Sequence, residues 1–205
     1  MNQVAMKEKI SKEISEGTFG GDRPYEAYEY LLGISQDELQ DKTILDLGSG
    51  NSEEFEQGIK KMGIRARVFS LNPLLGSNTS EGKRQRALSR KNKVVAGVAQ
   101  RLPFRSGSFD EIISLHAIPL WSEAADYENI FSELDRVLKP GGTIKLFPIS
   151  PYRKELLYET AIIHLRRRSY EVLWEWVEPD EARAKLFKTF RPDFRLTVKK
   201  PDGSI

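Results

Sequence analysis

The sequence predicts an α/β fold around a mostly parallel sheet, and three observations carry that prediction. Apolar runs recur at 44–47 (ILDL), 68–71 (VFSL), 94–98 (VVAGV), 112–115 (IISL) and 144–149 (IKLFPI). They are short, mostly without alternation and rich in Ile, Val, Leu and Phe, as strands covered on both faces are. Helical stripes lie between several of them: Phe55, Ile59 and Met62 form one, and Tyr127, Ile130, Leu134 and Val137 another. Strands alternating with helices imply right-handed crossovers and a parallel sheet between two helical layers, a three-layer sandwich. The chain ends differently. Tyr170, Val172, Trp174 and Trp176 share one face against Glu171 and Glu175, while Phe194, Leu196 and Val198 alternate with Arg195, Thr197 and Lys199. A period of two predicts half-exposed strands, antiparallel at a sheet edge, with a short helix over 180–190 between them.

Ahead of the first strand, Met6, Ile10 and Ile14 recur at helical spacing until Gly17, Gly20 and Gly21 interrupt it, and a second short helix is expected over Tyr25 to Leu32. At 205 residues the chain fits one domain. We expect a helical extension over 1–40, a ligand-binding core over 41–150, and a C-terminal helix with edge strands over 151–205. Lys and Arg number 32 against 30 Asp and Glu, so a net charge of +2 demands no polyanionic partner. With no cysteine, disulfides and thiolate chemistry are excluded, and two histidines alone make no convincing metal site. The polar first residues do not resemble a signal peptide, and no apolar run approaches the roughly 20 residues that span a bilayer. A cytoplasmic protein without membrane attachment is expected.

The segment richest in chemistry is Ile44-Leu45-Asp46-Leu47-Gly48-Ser49-Gly50-Asn51-Ser52-Glu53-Glu54. A buried strand ends near an aspartate, a Gly-x-Gly turn follows, and a helix begins. Glycines there let the chain turn sharply and let a ligand approach the backbone. A dinucleotide site uses the same device, but the third glycine of G-x-G-x-x-G is replaced by Glu53. Glu53 and Glu54 in the first helical turn would repel a pyrophosphate, and Asp46 suits an ammonium rather than a phosphate. All three details favour a cationic ligand. The competing reading has Asp46 accept from the loop amides, with Asn51 or Ser52 capping the helix.

Three motifs in this order resemble the class I S-adenosylmethionine-dependent methyltransferase family, over residues 40 to 150. They are ILDLGSG, the stretch LPFRSGSFDEIISLHAIPLW (102–121), and LDRVLKPGGTIKLF (134–147). The resemblance implies a seven-stranded sheet in the order 3-2-1-4-5-7-6 with the last strand antiparallel. It implies S-adenosylmethionine as cofactor, held at the carboxyl ends of the first four strands by Asp46, Gly48, Ser49, Gly50, Leu71, Asn72, Val98, Ala99 and Gln100. Two positions depart from the family pattern. Asn72 stands where an acid binds the ribose hydroxyls, and Val98 where an aspartate faces the adenine amino group. These departures motivate an alternative, a non-catalytic binding module or partner scaffold of the same fold.

His116 follows the fourth strand and is the candidate general base on an O- or N-nucleophile. A packed, cavity-lining histidine is the competing reading, since methyl transfer needs mainly alignment. Trp121 can border a substrate pocket. The acceptor is expected to be a small molecule. The basic run from Lys83 to Lys93 offers RNA or protein a contact, although the lack of an interleaved aromatic residue favours a solvated surface.

Overall fold

A computed structural model of the chain describes residues 23–50, 53–76, 78, 94–118, 122–187 and 192–203. The expected helix through Met6, Ile10 and Ile14, the capping roles of Asn51 and Ser52, Trp121 and the basic run at 83–93 lie outside the described residues. Helices α1 (Tyr25–Leu32) and α2 (Gln36–Leu39) precede β1 (Thr43–Leu47), α3 (Glu54–Lys61) and β2 (Arg67–Leu71). After β3 (Val94–Val95) come β4 (Phe109–Leu115), α4 (Tyr127–Val137) and β5 (Leu138–Ile149). The remainder is α5 (Pro151–Leu157), a π-helical turn (Tyr158–Ile162), α6 (Ile163–Arg167), β6 (Glu171–Val177), α7 (Glu181–Phe187) and β7 (Asp193–Lys199).

The sheet order is β3-β2-β1-β4-β5-β7-β6, as the resemblance implied. β1 to β5 are parallel, and β7 runs antiparallel to both β5 and β6. One apolar layer gathers Leu45, Leu47, Leu71, Ile112 and Leu146 against Tyr127, Ile130, Phe131, Leu134 and Val137 of α4. The other packs Ile44, Val68, Ile113 and Phe147 against Tyr28, Leu31 and Leu32 of α1 and Phe55 and Ile59 of α3. Alternate strand residues therefore feed opposite layers, which explains apolar runs without alternation. Among the described residues no helix is long and apolar enough to cross a membrane.

Two local expectations are corrected. The third strand is two residues long rather than the five of 94–98, because the chain turns away at Ala96 and Gly97. Met62 is not on the buried stripe of α3 but follows its last residue, 48 % exposed.

A buried ion network joins the N-terminal helices to the sheet. Glu111 of β4, fully buried, receives Lys42 at 2.9 Å, and the Lys145 ammonium of β5 donates to the Gly33 carbonyl at 2.9 Å. Helix packing on this side depends on one glycine. A Cβ on Gly58 of α3 would sit 2.3 Å from Cβ of Tyr25, whose ring stacks on Phe55 at 5.8 Å. Gly58→Ala gains about 1 kcal/mol of helix propensity but must push α1 and α3 apart, and overpacking costs about 1–3 kcal/mol. Net destabilisation of about 1 kcal/mol is expected in urea unfolding; a variant more stable than the parent contradicts this packing.

Candidate functional site

The carboxyl ends of β1, β2 and β4 meet at the point where the chain reverses direction across the sheet. Here β1 is flanked by β2 on one side and β4 on the other. Crevices in open α/β sheets form at such switch points. Asp46 is the fourth residue of β1, level with Ser70 of β2 and Ile113 of β4. Only 1 % of it is exposed, and among the described residues neither carboxylate oxygen has a hydrogen-bond partner. Burial pushes its carboxyl up to about 7. Three residues on, the Ser49 hydroxyl is also buried and without a partner. The end of β1 and its turn thus carry three buried oxygens with no hydrogen-bond partner among the described residues. Among the described residues no loop amide donates to Asp46, against the competing reading drawn from the sequence.

The turn itself is tightly determined. Gly48 has φ +81° and Gly50 φ +73°, both in the left-handed region. A Cβ on Gly48 would lie 2.3 Å from Cβ of Ala117, so the loop after β4 packs directly on the glycine turn. The Gly48 amide donates to the Leu71 carbonyl at 2.9 Å, extending the β1–β2 ladder by one step. Glu53 then occupies the N-cap of α3 in a left-handed conformation (φ +55°), so only Glu54 and Glu56 fall in the first helical turn. Carboxylates still surround the helix N-terminus, where a phosphate would otherwise sit.

Asn72 immediately follows β2 and is buried. Its backbone amide donates to Val95 at 3.0 Å, and its side-chain Nδ2 donates to the Gly50 carbonyl at 3.3 Å. The amide side chain therefore ties the end of β2 to the glycine turn, a donation that a carboxylate cannot make. Leu71 buries its side chain in the core beneath α4, leaving only backbone at the site. Val98 (49 % exposed) and Gln100 lie on an exposed turn closed by the Arg101 amide donating to the Val98 carbonyl at 3.1 Å; Ala99 beside them packs partly against the core.

His116 follows β4 with φ +58°, and its amide donates to the Phe147 carbonyl at 2.7 Å. Its ring meets Phe147 edge-on at 5.8 Å. Burial, with a smaller contribution from the Arg23 cation, holds the imidazole well below its ordinary value, so the ring is neutral at physiological pH. Ser114 was not singled out from the sequence, yet it fastens this loop. Its hydroxyl donates to the Leu47 carbonyl and accepts from the Ile118 amide, both at 3.0 Å. A serine inside an apolar strand was the only available signal.

Comparisons with known proteins agree with this geometry. A family model described as a methyltransferase domain matches residues 45–146, from β1 through most of β5. The chain is 30% identical over 123 residues to a sterol 24-C-methyltransferase of Pneumocystis carinii, covering 56% of this chain and 30% of that protein. It is 26% identical over 167 residues to a sterol 24-C-methyltransferase of Gibberella zeae, covering 82% of this chain and 41% of that one. It thus spans less than half the length of these curated relatives. A SAM-dependent methyltransferase from Methanosarcina mazei superposes with a TM-score of 0.58 at 16% identity, covering 89% of this chain and 100% of that one. With the strand order, the glycine turn after β1 and the matched segment in agreement, the chain belongs to the class I S-adenosylmethionine-dependent methyltransferase family.

Proposed function

We propose that this chain binds S-adenosylmethionine at the carboxyl edge of β1, β2 and β4 and serves transfer of its methyl group to a small-molecule acceptor. The observation that carries the reading is the buried Asp46 carboxylate without a hydrogen-bond partner, beside the equally unpartnered Ser49 hydroxyl. An ammonium group supplies the missing donors and lowers the carboxyl again by its charge. Asp46 and Ser49 hold that group, while Gly48 and Gly50 let the amino-acid portion lie against backbone. Leu71 and Asn72 border the ribose, and Val98, Ala99 and Gln100 border the adenine.

When bound, S-adenosylmethionine supplies a methyl group activated by its sulfonium sulfur. The protein contributes alignment, worth up to roughly 7–11 kcal/mol in favourable cases. The neutral His116 imidazole is competent to accept a proton from an O- or N-nucleophile held above β4. A small-molecule acceptor is supported by the names of the two sterol methyltransferases to which the chain is similar. An RNA or protein acceptor would have to use the run from Lys83 to Lys93. The reading keeps the expectation of a cytoplasmic setting and of one methyltransferase-like unit over 1–205.

A second reading, cofactor binding without catalysis, is favoured by Asn72, whose amide is engaged with Gly50 where the family pattern has a carboxylate. Incubating the protein with methyl-labelled cofactor and a small-molecule cell extract separates the two: label in an extract component supports catalysis, and binding without transfer supports the second reading.

Calorimetry with S-adenosylhomocysteine tests the shared premise. Asp46→Asn keeps the shape and removes the charge, so affinity is expected to fall at least about tenfold, the loss of one charge-assisted hydrogen bond. Equal affinity would remove Asp46 from the site. Asn72→Asp is expected to lower unfolding free energy by about 1 kcal/mol, since the tie to Gly50 is lost and two oxygens then face each other. An unchanged urea midpoint would show that the tie contributes nothing.

A further inference from the structure

The turn at 98–101 rises from a backbone point that neither sheet nor helix satisfies. Leu102, its foot, is 4 % exposed, so both of its backbone polar groups need partners inside the protein. Both partners come from one ion pair on α4. The Glu133 carboxylate accepts from the Leu102 amide at 2.7 Å, and Arg136 Nη2 donates to the Leu102 carbonyl at 3.0 Å. Arg136 Nη1 donates to the Phe104 carbonyl at 2.7 Å. The two side chains are joined in a fork, Nε to Oε1 and Nη2 to Oε2, both at 2.7 Å. Arg136 also fixes the far end of the segment through its own carbonyl, which accepts from the Gly107 amide at 2.9 Å. Phe104 packs edge-on against Phe109 at 4.9 Å, which anchors the start of the exposed loop at 105–107 on the core.

The other foot is fixed by contact. A Cβ on Gly97 would lie 2.9 Å from Leu71 Cδ1 and 3.2 Å from Pro103 Cδ, so the two ends of the turn are pressed together beside the end of β2. Height and tilt of residues 98–100 therefore depend on where α4 holds Leu102. A planar guanidinium can make these donations in parallel, whereas an ammonium cannot.

We infer that Glu133 and Arg136 are positioning residues for the adenine subsite: they touch no ligand, but they set the backbone of Val98, Ala99 and Gln100 against the adenine edge. The inference rests on the S-adenosylmethionine reading above. If that edge is read by backbone groups, a shift of the turn changes discrimination between adenine and hypoxanthine, whose 6-substituents are a donor and an acceptor. A merely structural staple would change stability and leave this preference alone.

The test compares S-adenosylhomocysteine with S-inosylhomocysteine by calorimetry, well below the melting temperature, in the parent, Arg136→Ala and Arg136→Lys. Arg136→Ala is expected to weaken S-adenosylhomocysteine binding about tenfold and to bring the two ligands to within about twofold of each other. Arg136→Lys should fall between, and it carries the test if the alanine variant does not fold. Folded variants with the parent's affinity and preference overturn the inference. Should the parent bind neither ligand, the functional reading fails, and the clamp is judged by hydrogen exchange alone. Faster exchange of the Arg101 and Leu102 amides in the variants then supports it, and unchanged exchange overturns it.

Discussion

The structure turns on a carboxylate buried without a hydrogen-bond partner. An ionised group in that position is costly unless its charge is met, and among the described residues none meets it. Asp46 therefore keeps its proton up to about pH 7 when folded, whereas in the unfolded chain it ionises near 4. Between those values the native state binds the extra proton. The contribution of Asp46 is thus most favourable in acid, declines as pH rises through this window, and is least favourable above it. A cationic ligand removes the penalty by lowering the folded-state value. The site binds at the expense of stability that the free domain forgoes, a common arrangement at functional positions.

Everything around that carboxylate serves to keep it buried yet reachable. The sheet places Asp46 level with Ser70 and Ile113 in flanking strands, so it cannot swing sideways. Gly48 admits the β4 loop through Ala117 from one side, and Asn72 ties the turn at Gly50 from the other. Ser114 locks the His116 loop to the end of β1. Burial disfavours the charged forms of both the imidazole and the carboxyl, lowering the one and raising the other to about 7, so the free site carries less charge near neutral pH than its residue types suggest.

Much of this was legible in the sequence because it depends on local pattern. Runs such as Ile44 to Leu47 announce strands covered on both sides, α1 spans the Tyr25 to Leu32 expected of it, and the alternation of Phe194, Leu196 and Val198 identifies the antiparallel strand. The aspartate and glycines of the β1 turn stood out because their chemistry is particular. What stayed hidden depends on partners distant in sequence. The length of β3 is decided by where Gly97 meets Leu71 and Pro103, and the exposure of Met62 by where α3 stops. The resemblance implied a ribose contact for Asn72, but it could not show that Nδ2 is engaged with Gly50 22 positions away. Glu133 and Arg136 stand three residues apart on α4, and nothing in that spacing shows that both reach the backbone of Leu102.

The most direct measurement is the titration of the Asp46 carboxyl itself, followed by carbon-13 NMR and assigned by its disappearance in Asp46→Asn. The account predicts a midpoint near pH 7 in the free protein and a drop of at least about one unit when S-adenosylhomocysteine is bound, because the ammonium then faces the carboxylate. A midpoint near 4 in the free protein, unmoved by the ligand, would contradict it.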